Sequence, residues 1–245
     1  MSNGLQYQVA YTYSKCMTDS IGYYGSFGAL ASPTSPYFQD LYDRRAEWGP
    51  CYFDSTHVLS AYAVYELPFG RGKRFGKDMN RFLNAVVGGW SVSPIVSWHT
   101  GFPLTIVDGN NNFLNNEVGS RGVRADCIAA PHYLGNQPAP PDLGGGIFLF
   151  DKNSYAPSQP TAFGTCGVGT VRGPRYGNLD LSLHKDFKIT ESKSIQFRSD
   201  FLNAFNQVNL NAPNTNIDLS ATSTTGLVQS SQSARNIQFA LKLYY

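Results

Sequence analysis

Charge is scarce in this chain. Only 15% of its 245 residues are Asp, Glu, Lys or Arg, against roughly 25% in ordinary soluble domains. The net charge of +2 gives no electrostatic case for nucleic acid. No run of about 18 apolar residues occurs, so no membrane helix is expected. No leader is expected either, because "MSNGLQYQVAYTYSK" passes straight into an alternating pattern. No two of His57, His99, His132 and His184 have metal-ligand spacing, and the cysteines lack a CxxC-like pair. No Ser-His-Asp set or carboxylate pair follows from spacing, so the chain is expected to be no enzyme and to need no metal or cofactor. "GRGKRFGKD", 70–78, has the wrong glycine spacing for a phosphate loop, and Asp78 stands where Ser or Thr should follow the Lys. It reads as a solvated turn; contact of the cluster Arg71, Lys73, Arg74, Lys77 and Arg81 with lipid phosphates is only a secondary reading. "GVGTVRG", 167–173, has no helix after it, which excludes a dinucleotide site.

What the chain does have is aromatics, 14% and mostly Tyr and Phe, and alternation in steps of two. Period two is the signature of a strand with unlike faces. In residues 4–14, Leu5, Tyr7, Val9, Tyr11 and Tyr13 share one face. Eleven residues at ~3.3 Å each and a ~45° tilt cover ~25 Å, longer than a typical soluble strand. Residues 55–69 form a second strand of ambiguous facing. In 89–101, Trp90, Val92, Pro94, Val96 and Trp98 form an apolar stripe with a Trp at each end, as at two membrane interfaces. Pro94 removes a ladder donor, so a bulge or weakened pairing is expected there. "FPLTIV" is expected to extend this strand. Strands at 178–189 and 194–207 form a hairpin. Their polar face carries Asp180, His184, Gln196, Arg198 and Asp200, and Lys185 interrupts the apolar face. Phe205 and Asn206 are assigned to the second of these strands. The chain closes on "RNIQFALKLYY", with Ile237, Phe239, Leu241, Leu243 and Tyr245 in alternation.

Connectors alternate long, short, long, short, long, and 108–177 is expected to be a structureless loop. Short turns on one side and long loops on the other suit an antiparallel transmembrane β-barrel, with a wet lumen inside and lipid outside. The last strand is then expected to pair with the first, which gives Tyr245 a partner.

"FDSTHVLSAYAVYELPFGRGKRF", "GGWSVSPIVSWHTGFPL", "VRGPRYGNLDLSLHKDF" and "IQFRSDFLNAFNQVNLNAP" resemble, in this order, the carboxy-terminal barrel of TonB-dependent outer-membrane receptors. The likeness is to the Oar-like type with a carboxypeptidase-regulatory-like domain. The resemblance implies a parent barrel of about 22 strands. The six strands here are its last portion over 1–245, without plug or coupling box, and the chain is expected to be the tail of something longer. It implies residence in a Gram-negative cell outer membrane and energy-coupled uptake of an unidentified substrate. Implied partners are outer-membrane lipid, the rest of the barrel and plug, the barrel assembly machinery, and TonB through regions absent here. The ending through Tyr245 resembles the signal which that machinery reads. The charged polar-face residues are expected to form a lumen lattice.

Cys16 and Cys51 bracket one outer loop; Cys127 and Cys166 lie in the next. An even count in exported loops favours disulfides. Of three pairings, Cys16–Cys51 with Cys127–Cys166 is preferred. A barrel acting as adhesin or scaffold is the second reading. A secreted, carbohydrate-binding β-sandwich is the third, and it leaves the long strands and loop asymmetry unexplained.

Overall fold

The computed structural model describes residues 4–19, 39–40, 42–109, 123–190 and 192–245. Parts of the first and second long loops, and Glu191 in the hairpin turn, lie outside them.

Six long strands form one antiparallel sheet: β1 (Leu5–Tyr13), β2 (His57–Glu66), β3 (Trp90–His99), β4 (Tyr176–Lys188), β5 (Ser194–Leu202) and β6 (Asn236–Tyr244). Their order in space is their order in the chain. Such a meander needs only turns and loops between neighbours. β1 and β6 therefore occupy opposite edges, and β6 pairs with β5 alone. The expected closure of the last strand on the first is not formed. Tyr245 lies beyond β6 and is 95% exposed, so its side chain does not find the expected partner among the described residues.

Register settles the facing of every strand, because residues directly opposite in an antiparallel pair share a face. Tyr7 stands opposite Ala63, Val9 opposite Ala61 and Tyr11 opposite Leu59. Leu59 continues to Trp98 and Ala61 to Val96. Val96 meets Leu179, Pro94 meets Leu181 and Val92 meets Leu183. Leu181 meets Phe201, which meets Ile237. One apolar face thus runs unbroken across all six strands. The ambiguous second strand contributes Leu59, Ala61, Ala63 and Tyr65 to it. Its signal was mixed because Val58, Tyr62 and Val64 put apolar groups on the other face, where Tyr62 stands opposite Ile95.

Pairing of β2 with β3 runs from Val58–His99 to Tyr62–Ile95, then resumes at Tyr65–Val92 with the same offset. The interruption spans the place of Pro94, which has no N–H to donate. The disturbance is a gap in pairing and not a bulge.

Three expectations fail locally. "FPLTIV" leaves the sheet, since 103–104 pairs with 171–172 and 107–108 with 123–124. Strand β5 stops at Leu202, so Phe205 and Asn206 belong to the connection that follows; Asn203 and Asn206 adopt positive φ there. The described part of 108–177 is far from structureless. It holds short ladders at 126–127 with 155–156 and at 133–138 with 147–150, and the second of these adds 227–228. Non-local pairing of two-residue pieces leaves no periodic trace in a sequence.

One element has no counterpart in the expectations. Helix α1 (Arg81–Val87) lies in the turn between β2 and β3, with the Asn80 side chain accepting from the Leu83 N–H as its cap. Asn before an apolar group at 82, 83, 86 and 87 is a helix-start signal.

Candidate functional site

The long connections all leave the same end of the sheet, and there they pack into one layer. Leu104, Ile106, Ala125, Phe150, Tyr155, Cys166, Val171 and Ile217 form its core. Tyr155 and Phe150 meet edge to face at 5.8 Å, a favoured aromatic geometry. The structure bonds Cys16 to Cys51 and Cys127 to Cys166, with Cα separations of 5.4 and 4.8 Å. These are the two pairs preferred from their places in the loops. The first ties the mouth of β1 to the approach of β2, and the second closes the middle connection on itself.

A buried ion pair joins the first connection to the second. Arg124 Nη1 donates to Glu47 Oε2 at 2.7 Å, and both side chains are almost fully enclosed. Arg124 also donates through Nε to the Cys166 carbonyl at 2.7 Å and through Nη2 to the Ala46 carbonyl at 3.0 Å. The other Glu47 oxygen accepts from the Gln39 N–H at 3.1 Å, and Gln39 Oε1 accepts from the Arg124 N–H at 3.0 Å. The guanidinium fork suits this cage because it satisfies several fixed oxygens at once. A second clamp lies nearer the strands. Asp54, almost wholly buried, accepts from Arg172 Nη2 at 2.7 Å and from the Cys16 N–H at 2.7 Å.

Two side chains of the layer have displaced titrations. Burial, with the neighbouring Tyr133, pushes the Tyr155 phenol up to about 12. The Ser220 backbone N–H and hydroxyl hold the Asp218 carboxyl below the usual carboxylate range.

Beneath the layer, the polar face of the sheet carries the charged residues singled out above. Ser182 stands opposite Asp200, His184 opposite Arg198 and Asp186 opposite Gln196. Arg198 Nε donates to both Asp200 oxygens at 2.8 and 2.7 Å, and Ser182 Oγ also donates to Asp200. Gln196 Nε2 donates to Asp186 at 3.0 Å. Asp180, on the same face, accepts from Asn178 Nδ2 and from the Asn203 N–H at 2.9 and 2.8 Å. Asp180, His184, Gln196, Arg198 and Asp200 therefore share one surface. No group of three or more His, Cys, Asp or Glu able to hold a metal occurs among the described residues.

Lys185 is the exception on the apolar face, and its contacts explain it. Its Nζ donates to the carbonyls of Val86 and Gly88 at 2.8 and 2.6 Å, and it lies over the rings of Trp90 and Phe187. The partners are nearly a hundred residues away, so the sequence shows only an interruption.

Sequence reasoning missed Glu47, Arg124, Asp54 and Arg172. They sit in segments without periodicity, and nothing local distinguishes them from surface charges.

A meandering sheet with one continuous apolar face, one charged face and a disulfide-bonded layer over its long-loop end is the plan of a β-barrel wall of the outer-membrane type. Residues 1–238 match the family model described as outer membrane beta barrel domain. The chain belongs to that family. No curated protein matches it, and no solved structure does.

Proposed function

We propose that this chain forms part of the transmembrane wall of a TonB-dependent receptor that takes up a substrate across the outer membrane by energy coupling. One observation carries the membrane placement. Every fully buried hydrophobic residue described lies in the connections, from Cys51 to Val228, and none lies in the six strands. A soluble sandwich has the opposite distribution, because two sheets bury their inner faces against each other. Here no described element covers the apolar face except α1 at one end. Lipid supplies the missing apolar phase, and the ladder satisfies the backbone within it.

The polar face then lines the lumen, where Arg198, Asp200, His184, Gln196 and Asp180 meet water, plug or substrate. The layer of connections faces outward and shapes the entrance. β6, with Ile237, Phe239, Leu241 and Leu243 on the lipid face and Tyr245 after it, serves as the segment read during assembly. Strands beyond these six complete the wall between β1 and β6.

Uptake is tested in cells carrying the parent receptor or lacking it, by following depletion of small molecules from spent medium with and without a protonophore. Depletion that needs both receptor and proton-motive force supports transport. Cells that deplete the medium equally but differ in surface attachment point to the adhesin reading.

A further inference from the structure

The short connection between β2 and β3, residues 67–89, holds five basic residues and one acidic residue, in a chain whose net charge is only +2. Arg71, Lys73, Arg74, Lys77 and Arg81 are all exposed. Lys73 pairs with Glu66 at 2.9 Å. Among the described residues no ion pair uses the other four. A highly basic turn of this kind is ordinarily a solvated one, but its neighbour α1 is not polar. Phe82, Leu83 and Val86 fall on one side of that helix and are 82%, 46% and 57% exposed. The opposite side, through Asn84, faces the turn and accepts from the Arg71 N–H at 2.6 Å.

The helix has a fixed seat. Its last carbonyls accept from Lys185 Nζ and from the Trp90 indole N–H. Trp90 and Lys185 stand opposite each other on the apolar face of the sheet. So α1 docks on the face assigned to lipid, at the end where strands meet short turns, with three apolar side chains aimed away from the protein and cations beside them. Water rewards none of these apolar groups, whereas a phospholipid interface rewards both sets at once.

We propose that residues 67–89 form an interfacial anchor that dips Phe82, Leu83 and Val86 into the periplasm-facing leaflet and binds anionic phospholipid headgroups through Arg71, Lys77 and Arg81. The inference rests on the barrel placement above and adds a lipid-binding site to it. The anchor also fixes the height of the wall, because α1 is clamped to β3 and β4.

All four native cysteines are paired, so one added thiol labels cleanly. A fluorophore is placed through Ala85→Cys, on the outward side of α1, in the parent receptor that carries this chain, reconstituted in vesicles of phosphatidylglycerol and phosphatidylcholine. Ser192→Cys, in the exposed turn at the same end, and Val96→Cys, on the apolar face of β3, are the references. Lipids brominated near the headgroup should quench position 85 strongly and position 192 weakly, while mid-chain bromines quench position 96. Quenching at 85 should fall in pure phosphatidylcholine, and also in the Arg71→Gln/Lys77→Gln/Arg81→Gln chain with phosphatidylglycerol present. If 96 is quenched while 85 is no more quenched than 192, the anchor is refuted and the barrel stands. Equal quenching at 85 with and without phosphatidylglycerol overturns headgroup binding. If 96 itself is unquenched, the barrel placement fails and the anchor with it.

Discussion

Replacing Glu47 by Ala should open the outer layer without disturbing the sheet. The change strands Arg124, whose side chain is 3% exposed, without its carboxylate. It also removes the acceptor of the Gln39 N–H. Breaking a buried pair by deleting one partner costs about 3–5 kcal/mol. At about 1.4 kcal/mol per decade, that is a factor of about 10² to several thousand in the opening equilibrium of the layer. Native-state hydrogen exchange reads it directly. The Ala125 N–H, bonded to the Ile106 carbonyl, and the Cys166 N–H, bonded to the Ala125 carbonyl, should exchange faster by that factor. Amides in the ladder between β3 and β4 should not change. Glu47→Gln, which keeps an acceptor but loses the charge, should cost less, about 1.5–3 kcal/mol. Glu47→Leu with Arg124→Met should recover part of the loss. Recovery stays partial because the Gln39 N–H and the Cys166 and Ala46 carbonyls lose partners in that double variant. If Glu47→Ala leaves the two layer amides within about threefold of their original rates, the pair does not clamp the layer.

Three further outcomes are expected. Val96→Arg should destabilise the assembled wall by about 2–4 kcal/mol more than Ser97→Arg, since only position 96 is on the face assigned to lipid, near mid-height; equal denaturant midpoints for the two would refute the facing. Phe239→Asp should abolish heat-modifiable mobility in outer-membrane fractions, while Ala240→Asp, which stands opposite Arg198, should assemble; equal assembly would mean that the alternation in β6 has nothing to do with lipid. Tyr155 should be absent from the tyrosines that ionise near the ordinary value of 10.0, because its phenol is held up at about 12; the neutral form is the one the fold favours, so its contribution is whole below pH 10 and is lost as pH rises to 12. The difference absorbance titration between the chain and Tyr155→Phe isolates it, and a difference step at pH 10 would refute the burial argument.

The strands were legible because each carries its own evidence. Leu5 to Tyr13 alternates in sequence, and alternation is a local property that no distant contact can erase. Facing was legible only where one parity was clearly apolar. Residues 57–66 carry apolar groups on both parities, and only their partners in β1 and β3 decide the matter. The outer layer was illegible for the reverse reason. Glu47 meets Arg124 across 77 positions, and Asp54 meets Arg172 across 118. Asn, Gly and Pro announce turns along those segments, yet they say nothing of which turn packs on which. Cysteine is the exception among loop residues, because its only common role in an exported loop is pairing, and the mouth of a strand restricts the choice of partner.

The two parts of the molecule are held by different forces. The outer layer folds as a small soluble domain does, by burying Ile106, Phe150, Tyr155, Val171 and Ile217 away from water. At its size that core alone is thin, which is where two disulfides and a caged ion pair make their contribution. The sheet has no such core. Its apolar side chains gain nothing from one another across a gap, and its cohesion comes from ladder hydrogen bonds that water would weaken and lipid cannot replace. This division explains the placement of charge as well. Arg198, Asp200 and Asp186 sit on the polar face, and Arg124, Glu47, Asp54 and Arg172 in the layer or at its base. Lys185 alone occupies the apolar face, at its inner edge, where the carbonyls of Val86 and Gly88 accept from its ammonium. A chain with 15% charged residues thus places one charge, that of Lys185, on the face assigned to lipid.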